Sequence, residues 1–135
     1  MRDAGFYFEG ALNILRLKGA ETVYSWVSDT VFTLSVVSGA ENIAIANGMN
    51  LMDRDLTDVN PTAQQIQNVV DKIEQLQPDV VIAGPRFAEG CLAFMKELKR
   101  RNVVAGAILV RYILFFLKIV NVHLIQKLLK EWEMI

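Results

Sequence analysis

Two patterns of apolar and polar residues alternate along this 135-residue chain. Short runs rich in β-branched residues are typical of strands buried on both faces, and apolar residues that recur every three or four positions are typical of amphipathic helices. The clearest example is the run at 79–83, which Gly84-Pro85 ends and which an amphipathic segment follows as far as Asn102. A strand, a turn and a helix in this order form the repeating unit of a parallel α/β sheet.

The same patterns predict the other elements of the chain. The predicted order is a helix over 5–17, a strand over 22–27, a helix from 31 to about 46, a short strand over 49–52, a polar loop over 53–59, a helix from 60–62 to about 75, the strand and helix of 79–102, and a strand over 103–110. Because strands and helices alternate, we predict an α/β fold of three layers, in which a parallel sheet is flanked by helices. Residues 1–110 form one folded unit in this interpretation.

Three residues mark the start of the third predicted helix. Asn60 is a good helix cap, and Pro61 suits the first helical position. Thr62 is an alternative cap, because Gln65 follows it at the spacing of a capping box. The sequence leaves both caps open.

Residues 111–135 differ in residue pattern from the rest of the chain, and we keep two interpretations of them. They read RYILFFLKIVNVHLIQKLLKEWEMI, an apolar segment interrupted by single polar and charged residues. In the first interpretation they form a terminal amphipathic helix with an apolar stripe at helical spacing. In the second they are a foreign read-through tail, because Val110-Arg111 can be encoded by a splice-donor-like sequence and the run resembles a translated intron.

Composition and charge exclude several classes of function. The formal net charge is -1, so the chain has no basic surplus with which to bind nucleic acid. Cys91 is the single cysteine, which excludes an internal disulfide. The sequence contains no run of about 18 uncharged apolar residues, so we predict no membrane-spanning helix. Asp3 and Glu9 interrupt the apolar start of the chain, so we predict no signal peptide.

The sequence contains no constellation of groups that is typical of an enzyme. His123 is the one histidine and lies in the tail, while Cys91 falls on the apolar stripe of a helix, where a cysteine is usually a small core residue. Asp53, Asp55 and Asp58 lack the glycine and the final glutamate of a calcium loop. No glycine-rich phosphate-binding motif follows a strand. We therefore expect no catalytic residue, no metal and no cofactor.

The segment from Gln77 to Pro85 resembles part of a two-component receiver domain. The phosphate-accepting aspartate of that family would fall at about Ala83 or Gly84 and is absent. The acidic pair expected after the first strand is reduced to Asp29. A degenerate receiver-like or flavodoxin-like cytoplasmic signalling domain therefore stays as the alternative function.

Five short motifs, taken in order, match a different family better. They are KGAETV at 18–23, SDTVF at 28–32, NGM at 47–49, NPTAQQI at 60–66 and QPDVVI at 77–82. By the order and spacing of these motifs, the chain from about residue 8 to residue 110 resembles part of the second lobe of the type I periplasmic-binding-protein fold. That family comprises leucine/isoleucine/valine-binding proteins and receptor ligand-binding regions.

The resemblance implies a ligand-binding lobe rather than an enzyme. In that family two α/β lobes close on a small molecule, often an amino acid or a related compound, and loops at the strand ends make the contacts of the second lobe. By position, the implied ligand-binding residues are Asp29, Phe32, Asn60, Pro85, Arg86 and Phe87. The implied partners are the ligand and the missing first lobe. The parent protein would be periplasmic or the extracellular domain of a membrane receptor, with this chain as a fragment of it.

Four of these residues also have a purely structural interpretation. Phe32 and Phe87 are placed to pack at helix starts, Asn60 to cap a helix, and Arg86 to carry a solvated charge. The family often has an acidic residue that pairs with the ligand amine at the position of Val59-Asn60. Because neither residue is acidic, the resemblance does not specify an amino-acid ligand.

Overall fold

The computed structural model describes residues 9–110 and the backbone of residues 114–115, and in this part of the chain four helices and five strands are found. In order they are α1 (Glu9–Leu17), β1 (Thr22–Ser28), α2 (Val31–Ala46), β2 (Asn50–Thr57), α3 (Ala63–Leu76), β3 (Val80–Gly84), α4 (Ala88–Arg101), β4 (Ala107–Val110) and β5 (Leu114–Phe115). The predicted α/β class is confirmed. The first residues of the helix predicted over 5–17 lie outside the described part.

The strands form one sheet in the order β2-β1-β3-β4-β5. The first four strands are parallel, as predicted, and β5 is antiparallel to β4. The chain steps from β1 outward to β2 and then returns past β1 to β3, so the strand order reverses between β1 and β3. In open α/β sheets a crevice forms at such a reversal, beyond the carboxyl ends of the strands.

Helices cover both faces of the sheet and divide the core into two halves. On one face α3 and α4 pack on Tyr24 and Trp26 of β1, and the centroids of the Trp26 and Phe94 rings lie 4.9 Å apart. On the other face α1 and α2 pack on Val23 and Val27 of β1. The apolar residues Val23, Val80, Val81 and Ile82 of β1 and β3 are all buried. Burial on both faces explains why β3 is a continuous apolar run.

The aspartate that precedes β3 fastens the amino ends of three strands. The Asp79 carboxylate accepts hydrogen bonds from the backbone N–H groups of Glu21 and Thr22 at 2.8 and 3.2 Å. The Asp79 N–H donates to the Thr22 hydroxyl at 2.9 Å, and the Asp79 carbonyl accepts from the Ala107 N–H at 2.9 Å. Gly106 permits this approach, because a Cβ at that position would lie 2.4 Å from the Asp79 carbonyl oxygen.

Local caps set the starts of α2 and α3. At α2 the Thr30 hydroxyl accepts a hydrogen bond from the Thr33 N–H at 3.1 Å. At α3 the Thr62 hydroxyl accepts from the Gln65 N–H, and the Gln65 side chain accepts from the Thr62 N–H, both at 3.1 Å. This is the predicted capping box. The interpretation of Asn60 as the cap is wrong, because the helix starts after Thr62.

The second strand is longer than predicted. The sequence predicts a strand over 49–52 and a polar loop over 53–59. In the structure β2 continues through Thr57, and it pairs with β1 along its whole length with one irregularity near Val23. The loop prediction is wrong because a polar strand can be stable where its side chains find partners.

Those partners lie on both faces of β2. On one face the Tyr24 hydroxyl donates to Asp55 Oδ2 at 2.8 Å. On the other face Arg54 lies 3.3 Å from the buried Glu41 carboxylate of α2. Because each polar group is paired with a residue far away in sequence, the local pattern of β2 does not resemble that of a strand.

The end of the chain also differs from its prediction. The strand predicted over 103–110 begins only at Ala107, because the Val103 N–H closes the end of α4 by donating to a helix carbonyl at 3.0 Å. The terminal helix or foreign tail predicted over 111–135 lies outside the described residues, apart from the two-residue strand β5.

Candidate functional site

The carboxyl ends of β1, β2 and β3 meet at one edge of the sheet, because these strands are parallel. Three loops leave this edge, at residues 29–30, 58–62 and 85–87. They carry every predicted ligand-binding residue except Phe32, which lies in the first turn of α2. We call the surface formed by these loops and the first turn of α2 the carboxyl edge.

Hydrogen bonds fix the loop between β1 and α2. The Asp29 N–H donates to the Thr57 carbonyl at 3.0 Å, which joins the end of β1 to the end of β2. The Thr33 hydroxyl donates to the Ser28 carbonyl at 2.6 Å, which anchors the first turn of α2 on the end of β1. Asp29 itself is exposed. The loop therefore presents Asp29 to solvent on a fixed base.

The first turn of α2 exposes two apolar side chains. Val31 is 89% exposed and Phe32 is 44% exposed. Packing at the helix start therefore accounts for only part of the Phe32 surface. Sequence reasoning missed Val31, whose one signal is its position just after a helix cap and off the buried stripe of α2.

The loop between β3 and α4 carries a cation and a second aromatic ring. Pro85 is buried, and the Arg86 N–H donates to the Ser28 hydroxyl at 3.2 Å, which ties the end of β3 to the end of β1. The Arg86 guanidinium carbon lies 5.0 Å from the centre of the Phe87 ring, within the range of a cation–π contact. Arg86 is consequently half-buried and stacked rather than freely solvated.

Phe87 also stands at the cap position of α4. Its side chain makes no capping hydrogen bond, so the first backbone N–H groups of α4 receive no acceptor from their cap residue. Such groups carry the partial positive charge of a helix start. Phe87 is 39% exposed, so its ring is available at the carboxyl edge beside this helix start.

The loop between β2 and α3 places Asn60 and Val59 at the surface, where both are exposed. The carboxyl edge thus carries all six residues of the sequence prediction, namely Asp29, Phe32, Asn60, Arg86, Phe87 and the buried Pro85. Two backbone hydrogen bonds, from Asp29 and from Arg86, tie their loops to the neighbouring strand ends. The role of these residues as ligand contacts stays a prediction.

Cys91 is buried in the apolar core of the described chain. Burial raises the pKa of the Cys91 thiol to about 12, so the thiol is neutral near pH 7 and is a poor nucleophile. Among residues 9–110, no group of three His, Cys, Asp or Glu side chains is placed to hold a metal ion. Nor does any helix in this range have the length and apolar character needed to cross a membrane.

No protein-family model and no curated protein sequence matches the chain. Among solved structures, it is similar to a putative branched-chain amino acid ABC transporter from Rhodospirillum rubrum, with a TM-score of 0.68 and 15% identity over 82% of this chain and 31% of that one. It is similar to a periplasmic binding protein from Burkholderia mallei, with a TM-score of 0.65 and 11% identity over 75% of this chain and 26% of that one. An ABC transporter solute-binding protein from R. palustris in complex with benzoate has a TM-score of 0.65 and 18% identity, over 79% of this chain and 29% of that one.

The chain spans less than a third of the length of each of these neighbours. The neighbours are solute-binding proteins rather than enzymes, and the chain resembles part of one of their lobes. Identities this low establish the fold and nothing finer. The predicted resemblance is confirmed at that level: the described chain has the fold of part of a type I periplasmic binding protein.

Proposed function

We propose that this chain is a ligand-binding lobe, which takes a small molecule at its carboxyl edge and closes on it together with a second lobe. The observation that supports this most is the exposure of Phe32 and Phe87 on the elements that flank the reversal of strand order. Large apolar side chains are mostly withdrawn from water, and a group of exposed ones marks a surface that contacts something else.

The loops that lead into α2 and α4, beside these rings, are held in place before any ligand arrives. The backbone N–H groups of Asp29 and Arg86 are both bonded to the ends of neighbouring strands. A binding surface that is ordered in advance spends less free energy on ordering when the ligand binds. The carboxyl edge therefore suits one rigid wall of a cleft.

Closure is the mechanism that this geometry supports. One wall leaves a ligand open to water, so its affinity depends on groups that a second wall supplies. A ligand that contacts both lobes stabilises the closed arrangement by its extra contacts in that state. The parent protein that supplies the first lobe is, in this proposal, a periplasmic solute-binding protein or the extracellular domain of a membrane receptor.

The chemistry of the edge favours a small carboxylate with an apolar or aromatic body. Phe32 and Phe87 offer aromatic surface, and Arg86 beside Phe87 favours negative charge, while the exposed Asp29 lies on a different loop. Two solved neighbours support this class, since one is in complex with benzoate and another with 3,4-dihydroxy benzoic acid. The receiver-like alternative is not favoured, because the buried positions Ala83 and Gly84 carry no phosphate acceptor.

Backbone NMR of the whole chain, titrated with benzoate, tests this proposal. We expect the amide signals of residues 29–32 and 85–90 to shift, because these residues form the carboxyl edge. Binding should be weak, with a Kd on the order of 1 mM, because only one wall of the cleft is present.

Two variants that each lose one positive charge are compared, the first at the carboxyl edge and the second as its control. Arg86→Gln removes the cation at the edge and should weaken benzoate binding about threefold, the scale of one partly exposed charged contact. Lys99→Gln removes a charge from the last turn of α4, the helix that follows Arg86, and should bind as the unchanged chain does. Equal weakening in both variants, or shifts confined to the amino ends of the strands, would count against the proposal.

A further inference from the structure

A groove lies along the outer side of the domain, between the edge strand β2 and helix α3. It has a volume of about 370 Å³, within the range of about 300–1,000 Å³ that small-molecule sites occupy. Its walls are formed by Asp55, Leu56, Thr57, Gln65, Asn68, Val69 and Lys72. We call it the lateral groove.

The groove exists because polar side chains of β2 face polar side chains of α3, at a position where a strand and a helix usually pack through apolar side chains. Covered parallel strands are normally apolar, but the second half of β2 presents Asp55 and Thr57 toward α3. On α3, Gln65, Asn68 and Lys72 stand at helical spacing on one side of the helix. Polar groups that face each other across a gap stay hydrated until a ligand takes the place of water.

Buried aromatic residues hold the β2 wall in position. The Tyr24 hydroxyl donates to Asp55 Oδ2 at 2.8 Å, and the Trp26 Nε1–H donates to Thr57 Oγ1 at 3.0 Å. Tyr24 and Trp26 are fully buried, so they fix the side chains that they contact. Burial raises the pKa of Tyr24, which keeps its phenol neutral and donating.

The Asp55 carboxylate lines the groove and has no ion pair of its own, since the Lys72 cation in the same groove is paired with Asp53. Lys72 Nζ lies 2.6 Å from Asp53 Oδ2 and is held there, although the charge of Asp55 also acts on it. No cation of the described chain lies within ion-pair distance of Asp55. The lateral groove therefore has a fixed carboxylate that a ligand cation can approach from solvent.

The α3 wall offers neutral donors opposite this carboxylate. Gln65 uses its side-chain oxygen for the cap of α3, and Asn68 Oδ1 accepts from Gln64 Nε2 at 2.9 Å. With both oxygens engaged, the amide nitrogens of Gln65 and Asn68 are left with no partner among residues 9–110. These nitrogens are donors, and they suit the oxygens of an uncharged hydroxyl group.

We propose that the lateral groove binds a small ammonium compound that carries hydroxyl groups, of the amino-alcohol or amino-sugar class. The ammonium group pairs with the Asp55 carboxylate, and hydroxyl oxygens accept hydrogen bonds from the amide nitrogens of Gln65 and Asn68. Val69 contacts the carbon skeleton. The groove adjoins the carboxyl edge at the end of β2, but none of the predicted ligand-binding residues of that edge lines it.

Backbone NMR of the whole chain with four probes tests the proposal. The probes are glucosamine, glucose, cyclohexylamine and glycine, used at about pH 6.5, where an amine of ordinary pKa is protonated. We expect glucosamine to shift residues 55–57 and 65–72 with a Kd on the order of 1 mM, and the other three to bind at least about tenfold more weakly. Equal binding of glucose shows that the charge is not recognised, and equal binding of cyclohexylamine or glycine shows that the hydroxyl groups are not; each result overturns the proposal.

Two isosteric variants locate the site. Asp55→Asn removes the charge but keeps an oxygen for the Tyr24 hydroxyl, so the strand stays folded and glucosamine should lose its advantage over glucose. Asp71→Asn removes the same charge from an exposed position on α3 that contacts Arg101, outside the groove, and should leave glucosamine binding unchanged. Glucosamine shifts that survive in Asp55→Asn, or the absence of shifts at about 50 mM in the unchanged chain, overturn the proposal.

Discussion

The two ends of the sheet use their polar and apolar groups in opposite ways. At the amino ends, Asp79 is bonded to the backbone of β1 and β4, and Gly106 gives it room. At the carboxyl edge, the backbone N–H groups of Asp29 and Arg86 donate to oxygens at the ends of neighbouring strands, while Phe32 and Phe87 stay partly exposed. The amino ends therefore hold the strands together, and the carboxyl edge holds a surface ready for a partner.

Gly106 offers the strongest test of this division. The added Cβ of Gly106→Ala would lie 2.4 Å from the Asp79 carbonyl oxygen, and the backbone there has little freedom to move because it pairs with Ala107. We expect the free energy of unfolding to fall by about 2–3 kcal/mol, the scale of overpacking in a core, measured by urea denaturation. Gly10→Ala is the control, since no heavy atom lies within 4 Å of its Cβ, and it should unfold at the same or slightly higher urea concentration. Equal midpoints for the two variants would contradict the division.

Substitutions of Asp79 and Asp58, one aspartate at each end of the sheet, offer a second comparison. Asp79→Ala leaves the N–H groups of Glu21 and Thr22 without their acceptor, so we expect a loss of about 2 kcal/mol in the free energy of unfolding. Asp58→Ala, in an exposed loop of the carboxyl edge, should change it by less than about 0.5 kcal/mol. Thermal or urea melts that rank Asp58→Ala as the more destabilising variant would reverse the assignment of the two ends.

The sequence predicted best those features that local physics decides. The strand β3 is apolar along its length because helices cover both of its faces, and the capping box of α3 lies within four residues of the chain. Both signals can be read without knowing the rest of the fold. The position of the candidate site followed from the same logic, because parallel strands place their carboxyl ends together.

The features that the sequence did not predict depend on residues far apart in the chain. Asp79 bonds to Thr22, 57 positions away, and Asp55 bonds to Tyr24, 31 positions away. Nothing in the local pattern shows that these polar groups will find partners, so the part of β2 from Asp53 onward was predicted as a loop. The hydrogen bond from the Arg86 N–H to the Ser28 hydroxyl could not be predicted either, because the two residues are 58 positions apart.

At the carboxyl edge, substitutions of the two aromatic rings should affect benzoate binding more than they affect the stability of the fold. Phe32→Ser and Phe87→Ser remove partly exposed rings, so each should change the free energy of unfolding by less than about 1 kcal/mol while reducing the benzoate-induced NMR shifts. Val104→Ser, which removes a 68% exposed apolar side chain near the amino end of β4, should leave those shifts unchanged. Loss of the shifts in Val104→Ser would mean that exposed apolar surface in general, and not the carboxyl edge, responds to benzoate.

The smallest expected effect concerns the exposed pair of Asp53 and Lys72. The hydrogen bond from Lys72 lowers the pKa of the Asp53 carboxyl in the folded chain. The stability that this pair adds is therefore present above the unfolded pKa of about 4 and is lost as the pH falls through the folded value. Lys72→Met should make urea midpoints less sensitive to pH between about 5 and 3, whereas Lys99→Met should not. An unchanged pH dependence in Lys72→Met would show that the pair contributes nothing.

The affinity of the isolated chain for small carboxylates tests the central claim most directly. That claim is that the carboxyl edge is one wall of a cleft that a second lobe completes. Calorimetric titration of the whole chain with benzoate and with L-leucine should show no binding tighter than about 1 mM, because groups from the other wall are missing. Binding of either compound at a micromolar Kd would contradict the account, because a single lobe would then form the complete site.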